Sequence, residues 1–579
     1  MLNKDPKSQV KTKQLSDLPE VLERFLTKKI ESCAVVYLNR EVANGREWTH
    51  IVNNYAFIVS HDEDKESDEV KCFFAERYGG DGILSNGGGG RCGFDGEWQL
   101  KGLGANHLVG CDLDSGHSDG NLALETAIHE TIWAEIINAA LPFGAIRTVA
   151  IMDTGLRFNA DQKEIKRGLL VRLPAVRPAH FIRSLYYKQK KFSPIGEDAM
   201  RVKKAIHRVH EFLPIPTDPD GEQSILSLLN LGLSELVERY ARQFAAARAK
   251  FIAHYNVSAS NISLDGSWLD LSGTRFFTNE IKDDKLSIDN FENEYIPALR
   301  ALLDICFYLG RYGVIASEDA RQMHDVVIKK FFYDYNRFLN LYQVARTGIP
   351  FSLLLQLLGS PELELFSTKL QEILKFEKFS LVRIEYGNTW SGYEFCSSMV
   401  FGALYRAYAL QEGFSELSST GKDVELIEKL TLSYSELMGA AFRVAEGFGI
   451  DFESFMLSVK INVIRLNRIS SVLIDLESLI KNLNVDTLNV LPMPCEQLTK
   501  HAVLAAKLNL NNEDSLLIPF WFSSRFNIWF NPTKSKFIFD GGSVSELSTK
   551  ELLENSQRCD VISEALEFYG DARRELHGI

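Results

Sequence analysis

The chain has 579 residues, of which 45% are hydrophobic and 24% charged, and it carries a net charge of −13. This composition is ordinary for a globular protein, and the length predicts roughly two to four structural units. The acidic balance argues against a surface that wraps nucleic acid, which needs clustered Lys and Arg. The longest apolar runs, such as residues 351–358, are too short to span a bilayer. The start of the chain lacks the apolar core of a signal peptide, so we expect a cytoplasmic protein.

The first part of the chain predicts a flexible tail over residues 1–20 and then a mixed unit over residues 21–167. In this unit β-like runs alternate with glycine-rich or charged turns. We predict strands over residues 33–38, 56–60, 71–75, 98–100 and 148–152. One clear helix, over residues 121–141, interrupts them and ends before a proline. A sheet with a single prominent helix is the plan of the small lobe of a protein kinase.

The rest of the chain predicts mostly helices. Residues 168–348 begin this helical part, with a long helix over 222–254 followed by an irregular stretch. Residues 349–579 predict a mostly helical accessory region with a small β-rich element around a turn at residues 531–533. Its helices are predicted over residues 363–376, 393–411, 424–446 and 452–482, and its strands over residues 516–522, 526–530 and 536–539. The predicted class is therefore α+β, as a kinase-like two-lobe fold with a helical C-terminal extension.

Glycine is concentrated in two short segments, Gly80-Asp81-Gly82 and residues 87–90. Glycine allows backbone N–H groups to approach phosphate oxygens without a Cβ clash. The pattern matches neither a P-loop nor a dinucleotide fingerprint, so a plain loop is the competing interpretation. The segments are candidate phosphate-binding turns.

Lys101 ends a short β-like run just after these glycines, and Glu130 lies inside the single predicted helix. A lysine in this position reaches phosphates while a helical carboxylate orients its ammonium group, as in kinase-like sites. The alternative is a surface lysine and a solvated helical glutamate. The two residues are candidate catalytic groups.

Asn261 is followed nine residues later by Asp270. Amide and carboxylate oxygens are the hard ligands that Mg²⁺ prefers, and the metal would bridge ATP phosphates. Asp265-Gly266 between them is a turn sequence, which predicts a hairpin that brings the two residues together. They are candidate catalytic and metal-binding residues.

These elements follow one another in an order that resembles the selenoprotein O family of protein-kinase-like adenylyltransferases. Residues 99–104, with Lys101 and Gly102, resemble the lysine motif of the family. Asp119-Gly120, followed by Glu130 eleven residues after Asp119, resembles its Gly-Asp-Gly-Arg segment and the helix after it. Two further segments resemble arginine motifs that face phosphates, and they end in Arg172 and Arg183. The resemblance covers residues 78–273, and the C-terminal redox cysteine motif of the family is not evident.

The resemblance implies a bound ATP that is reversed relative to ordinary kinases, so that AMP is transferred to a protein or peptide. Lys101, Arg172 and Arg183 would hold the phosphates, and Asn261 with Asp270 would hold Mg²⁺. Arg177 competes with Arg183 for the second arginine position.

The family usually has an aspartate base immediately before the metal-binding asparagine, and here that position is Ser260. A serine does not accept a proton near neutral pH, and base assistance is worth roughly two to four orders of magnitude. Three interpretations follow: a pseudokinase scaffold, transfer through another base such as Asp265, or an acceptor that is already ionised. A carboxylate acceptor, such as a peptide C-terminus activated for ligation by a partner enzyme, is the sharpest of them. A conventional phosphotransferase is a further alternative.

Overall fold

A computed structural model describes most of the chain. The described residues are 13–59, 66–83, 85–111, 119–160, 162–188, 196–215, 223–278, 287–375, 379–386, 390–410, 424–483, 493–512, 515–540, 545–556 and 559–570. Among these residues, no helix is long and apolar enough to cross a membrane. The cytoplasmic location stays a prediction.

The strands fall into four antiparallel sheets. They are β1 (Leu22–Ile30), β2 (Ala34–Leu38), β3 (Phe57–Ile58), β4 (Glu66–Glu76), β5 (Cys92–Phe94), β6 (Gln99–Lys101), β7 (Thr148–Ala160), β8 (Lys163–Arg172), β9 (Ile252–Ala253), β10 (Arg275–Phe276), β11 (Leu381–Tyr386), β12 (Trp390–Phe395), β13 (Arg468–Ser470), β14 (Ile518–Phe522), β15 (Asn527–Asn531), β16 (Lys536–Asp540) and β17 (Ser545–Leu547). The largest sheet has eight strands in the order β2-β7-β8-β6-β5-β4-β1-β3.

The helices contain more of the described residues than the strands do. They are α1 (Trp48–Tyr55), α2 (Leu124–Ala140), α3 (Gly196–Ile206), α4 (Ile225–Ala249), α5 (Ile288–Glu292), α6 (Ile296–Arg311), α7 (Ser317–Ala345), α8 (Phe351–Gln356), α9 (Pro361–Leu374), α10 (Ser398–Leu410), α11 (Val424–Gly447), α12 (Phe452–Arg465), α13 (Ser471–Ile474), α14 (Leu476–Lys481), α15 (Met493–Asn509), α16 (Thr549–Asn555) and α17 (Asp560–Phe568). Together with the sheets they give a mixed α and β structure.

The buried halves of strands β7 and β8 are apolar on both faces, which is typical of a sheet covered on both sides. Ile151 and Leu170 lie in the main core with helix α2, whereas Met152 and Leu169 lie in a second cluster with Tyr55 of α1. The sheet is therefore sandwiched, and its middle strand β6 is fully buried.

The mixed class and the helix over 121–141 are confirmed, and the predicted strands are present with shifted ends. The prediction of a single helix in this unit was wrong, because α1 packs on the other face of the sheet. The long helix over 222–254 is α4, which ends at Ala249. The β-rich element is confirmed as the sheet β14–β17. Two helix predictions were wrong in part, because residues 390–395 form β12 and the helix over 452–482 is interrupted by β13. These two strands pair with each other, and such a pairing between distant segments overrides local propensity.

Of the predicted flexible tail, residues 1–12 lie outside the described residues. Residues 13–20 include a 3-10 turn at Leu15–Asp17, and Leu15 and Leu18 are buried in the main core. The predicted boundaries at 167 and 348, and the division into two kinase-like lobes, stay predictions.

Candidate functional site

A hairpin carries the two predicted metal-binding residues. The backbone N–H of Leu269 donates a 3.0 Å hydrogen bond to the Asn261 carbonyl, and Ile262 pairs with Trp268. The turn lies where Asp265-Gly266 predicted it, since Gly266 has φ +102° and donates to Ser263 at 3.2 Å. The hairpin therefore places Asn261 beside the residue that precedes Asp270.

His254 fixes the base of this hairpin. Its Nε2 lies 3.1 Å from the Leu269 carbonyl and 3.4 Å from the Asn261 carbonyl, while its Nδ1 accepts from the backbone N–H of Asn256 at 3.3 Å. Because carbonyls only accept, the ring is the neutral tautomer that carries its proton on Nε2. Burial lowers the pKa of His254, which keeps the ring neutral.

Lys101 connects three separate segments of the chain. Its Nζ lies 2.5 Å from Glu130 Oε1 on helix α2 and also contacts the carboxylate of Asp270 after the hairpin. Lys101 is fully buried, with 0% of its surface exposed, which rules out a surface lysine. Asp270 has φ +61°, a conformation that costs free energy outside glycine and clusters at functional sites. The structure thus brings Lys101, Glu130 and Asp270 together.

Asp270 is an anion among cations. Its burial would raise its pKa, but Lys101, Arg91 and Arg172 hold that pKa well below its usual range. Arg91 is a basic group that the sequence analysis did not single out. Its position directly after the four glycines at 87–90 was the available clue, because a phosphate-binding turn is often followed by a cation.

A buried polar network lies behind Lys101. Gln99 donates to Glu76, and the Gln99 side-chain oxygen accepts from Arg172 Nε at 2.5 Å and from Arg177 Nη2 at 3.3 Å. Glu76 also lies 3.1 Å from His180 Nε2 and 3.6 Å from Arg177 Nη2. Burial alone would raise the pKa of Glu76, but Arg177 and His180 lower it to about 2.

The two competing arginines have different surroundings. Arg177 is buried and donates through Nη1 to the Ser260 carbonyl at 3.0 Å, so it touches the loop before Asn261. Arg183 Nε lies 3.5 Å from Asp198, and its side chain is a quarter exposed. The structure therefore brings Arg172 and Arg177 to the Lys101 cluster, and Arg183 pairs away from it.

The first glycine turn lies against the loop at residues 258–260. A Cβ at Gly82, which has φ +93°, would lie 2.9 Å from Ser258 Cβ, and one at Gly80 would lie 3.1 Å from Ala259 Cβ. Glycine is therefore required for this close approach. The Asp81 carboxylate instead points to Arg300 on α6, and both side chains are exposed.

The predicted nucleotide-binding residues Gly102, Asp119 and Gly120 lie beside the end of β6. The N–H of Gly102 donates to the Arg91 carbonyl at 3.0 Å, and the Gly120 carbonyl accepts from Gly104 at 3.2 Å. Asp119 accepts from the backbone N–H of Asn121 at 2.9 Å. These contacts shape the turn, and a role of Gly102, Asp119 and Gly120 in nucleotide binding stays a prediction.

The side chains of Ser260 and Asp265 are both held by hydrogen bonds within the loop. The Ser260 hydroxyl lies 2.9 Å from the Ser258 hydroxyl and 3.4 Å from Asn261 Oδ1. The Asp265 carboxylate accepts from the backbone N–H of Ser267 at 2.9 Å and from its hydroxyl at 2.6 Å. Asp265 therefore closes the hairpin turn.

The oxygens of Asn261 and Asp270 fit Mg²⁺. Asn261 Nδ2 donates to the Asn256 carbonyl at 2.7 Å, which fixes the amide and leaves Oδ1 as its ligand atom. Asp270 supplies an ionised carboxylate. Mg²⁺ in phosphate-binding sites usually takes one or two protein oxygens and completes its shell with phosphates and waters. No group of three or more potential metal-ligating His, Cys, Asp or Glu side chains occurs in the described part of the chain.

No known protein-family model matches this chain, and no curated protein matches it.

Proposed function

We propose that this chain is an ATP- and Mg²⁺-dependent adenylyltransferase of the selenoprotein O type, with a protein-kinase-like arrangement of its sheet and helices. Its acceptor is a carboxylate of a protein or peptide. The observation that carries the proposal is the contact of Lys101 with both Glu130 and Asp270, from three segments far apart in sequence. A lysine held by a helical glutamate beside a metal-binding aspartate is the arrangement that kinase-like sites use to orient ATP phosphates.

The charges around Asp270 support a triphosphate ligand. Lys101, Arg91 and Arg172 act on a single carboxylate, with Glu130 as a second anion on Lys101. Phosphate oxygens are strong acceptors for such cations. Mg²⁺ would be held by Asn261 and Asp270, where it would neutralise phosphate charge.

Three groups around the hairpin support a carboxylate as the acceptor. Ser260 is no base, both nitrogens of His254 are used by backbone contacts, and Asp265 holds its own turn. A hydroxyl acceptor must lose a proton, whereas a carboxylate carries none. In the proposed step a carboxylate oxygen attacks the α-phosphorus, the bond from that phosphorus to the bridging oxygen breaks, and pyrophosphate leaves with the bonding electrons. The product is an acyl adenylate, which a partner enzyme then uses for ligation.

The test compares ATP labelled at the α- or the γ-phosphate, with Mg²⁺, candidate peptides and hydroxylamine as a trap. Without hydroxylamine we expect α-label on the peptide and release of pyrophosphate. With hydroxylamine we expect a hydroxamate on the peptide and release of the α-label as AMP. Transfer of γ-label would instead indicate a conventional phosphotransferase. Nucleotide binding without any transfer would indicate a scaffold, and either result would overturn the proposal.

A further inference from the structure

Helix α2, which carries Glu130, is buried on nearly all sides, although several of its buried residues are polar. Of its 17 residues, 13 are buried. A helix at the surface of a domain keeps one exposed face, whereas a helix buried on nearly all sides is covered by more than one element. The eight-stranded sheet covers one side of α2 through β7 and β8. Another part of the chain must cover the rest.

The cover comes from the C-terminal region. Helix α15 packs along α2 and also touches β2, and the short helix α14 packs on α2 beside it. The buried residues Cys495, Ala502 and Ala506 of α15 belong to the same core as α2. All three have small side chains. This intramolecular contact joins residues more than 350 positions apart in the sequence.

A second contact reaches the residue next to Glu130. His129 is buried, and the Leu271 backbone and the Glu477 carboxylate of α14 lie near enough to its ring to influence its pKa. Glu477 also lies 3.9 Å from Arg275. Leu271 directly follows Asp270, so this set of residues joins α14, the Glu130 helix and the Asp270 segment.

We infer that α14 and α15 position Glu130, so that the C-terminal region holds the Lys101–Glu130 pair in its assembled geometry. Outward movement of α2 would break the 2.5 Å contact with Lys101 and expose apolar surface that α15 now covers. The C-terminal region is then a positioning element for the site. The kinetic part of this inference rests on the proposed function, whereas its structural part does not.

The test uses the full chain with Ala502→Leu, which adds volume to a fully buried position, and His501→Leu as the matched control at the adjacent exposed position. Hydrogen exchange is measured over residues 124–140 without nucleotide, and kcat and KM for ATP are measured by α-label transfer. We expect Ala502→Leu to speed exchange in α2 at least about tenfold. We also expect kcat to fall about tenfold to a hundredfold at a nearly constant KM, because small misplacements of catalytic groups are costly. His501→Leu should change neither quantity.

Glu477→Gln provides a second variant, since Glu477 is half-exposed and its replacement leaves the core intact. We expect it to speed exchange around His129 and to lower kcat about threefold. Unchanged exchange in α2 in both variants would overturn the inference. If Ala502→Leu does not fold, the exchange measured with Glu477→Gln alone tests the inference. A wild-type chain that transfers no label would refute the proposed function, while the exchange data would still decide whether α15 positions α2.

Discussion

Arg177 donates a 3.0 Å hydrogen bond to the backbone carbonyl of Ser260, and its other terminal nitrogen reaches the buried Glu76 network. One guanidinium thus links the polar network beside β6 to the loop that carries Asn261. Arg177 therefore holds the loop through its backbone rather than through the side chain at position 260.

Replacement of Arg177 should therefore cost more than replacement of Arg183. Arg177→Met leaves the Glu76 carboxylate buried without its main cation, which we expect to lower the free energy of unfolding by roughly 3–5 kcal/mol. Arg183→Met breaks a partly exposed pair with Asp198, and we expect about 0–1 kcal/mol. Urea denaturation of both variants measures these changes. If Arg183→Met raises KM for ATP and Arg177→Met does not, Arg183 is the phosphate-facing arginine that the resemblance implies.

The parts of the site that the sequence predicted are those with local patterns. Lys101 ends a short apolar run, Glu130 lies in a strongly periodic helix, and Asp265-Gly266 is a turn sequence between Asn261 and Asp270. Each pattern is contained within about 20 residues. The contact of Lys101 with Glu130 and Asp270 was predicted only because the order of these residues resembles that of the family.

The parts that the sequence did not predict depend on pairing between distant segments. Glu76 ends β4, and its sequence context indicates only an ordinary charged strand residue. In the structure it is buried against Arg177 and His180, which lie about a hundred positions later in the chain. The packing of α15 on α2 could not be predicted either, because the sequence pattern of a buried helix does not indicate which element covers it. Such contacts are set by tertiary packing, which overrides local propensity.

Removal of the Asp270 charge should abolish the metal dependence of nucleotide binding. We expect Asp270→Asn to weaken ATP binding in the presence of Mg²⁺ at least about tenfold, because the amide is a poorer ligand for a hard cation. Without Mg²⁺ the affinity should be unchanged or higher, since an anion beside the phosphates is gone. Titration calorimetry with and without Mg²⁺ measures both, and Asp325→Asn, at an exposed carboxylate outside the candidate site, is the control. Equal Mg²⁺ dependence in Asp270→Asn and wild type would contradict the assignment.

The stability of the fold should depend on the ionisation of Glu76. Its pKa falls from 4.5 to about 2 on folding, so the carboxylate stabilises the folded chain above pH 4.5 and this stabilisation is lost as the pH falls toward 2. The lowered pKa corresponds to roughly 3 kcal/mol. Urea denaturation at several pH values between 5 and 2 measures the loss. Glu76→Gln should be less stable at pH 7 and should show a flatter profile, and an equally steep profile in the variant would assign the effect to other carboxylates.

Ser260→Asp tests the acceptor class directly. It places a carboxylate where a base would take a proton from a hydroxyl. The Ser260 hydroxyl that it replaces lies 2.9 Å from the Ser258 hydroxyl, and the backbone carbonyl of the same residue accepts from Arg177. If the natural acceptor is a carboxylate, the new anion repels it, and we expect hydroxamate formation to fall at least about tenfold. Transfer of α-label to serine- or threonine-containing peptides should rise by about two to four orders of magnitude, the usual contribution of a general base. Ser260→Asn, which has nearly the same shape and no charge, is the matched control and should produce neither change. If neither chain forms a hydroxamate and Ser260→Asp raises α-label transfer to serine or threonine, the carboxylate acceptor is contradicted and the natural chain lacks a base that it needs.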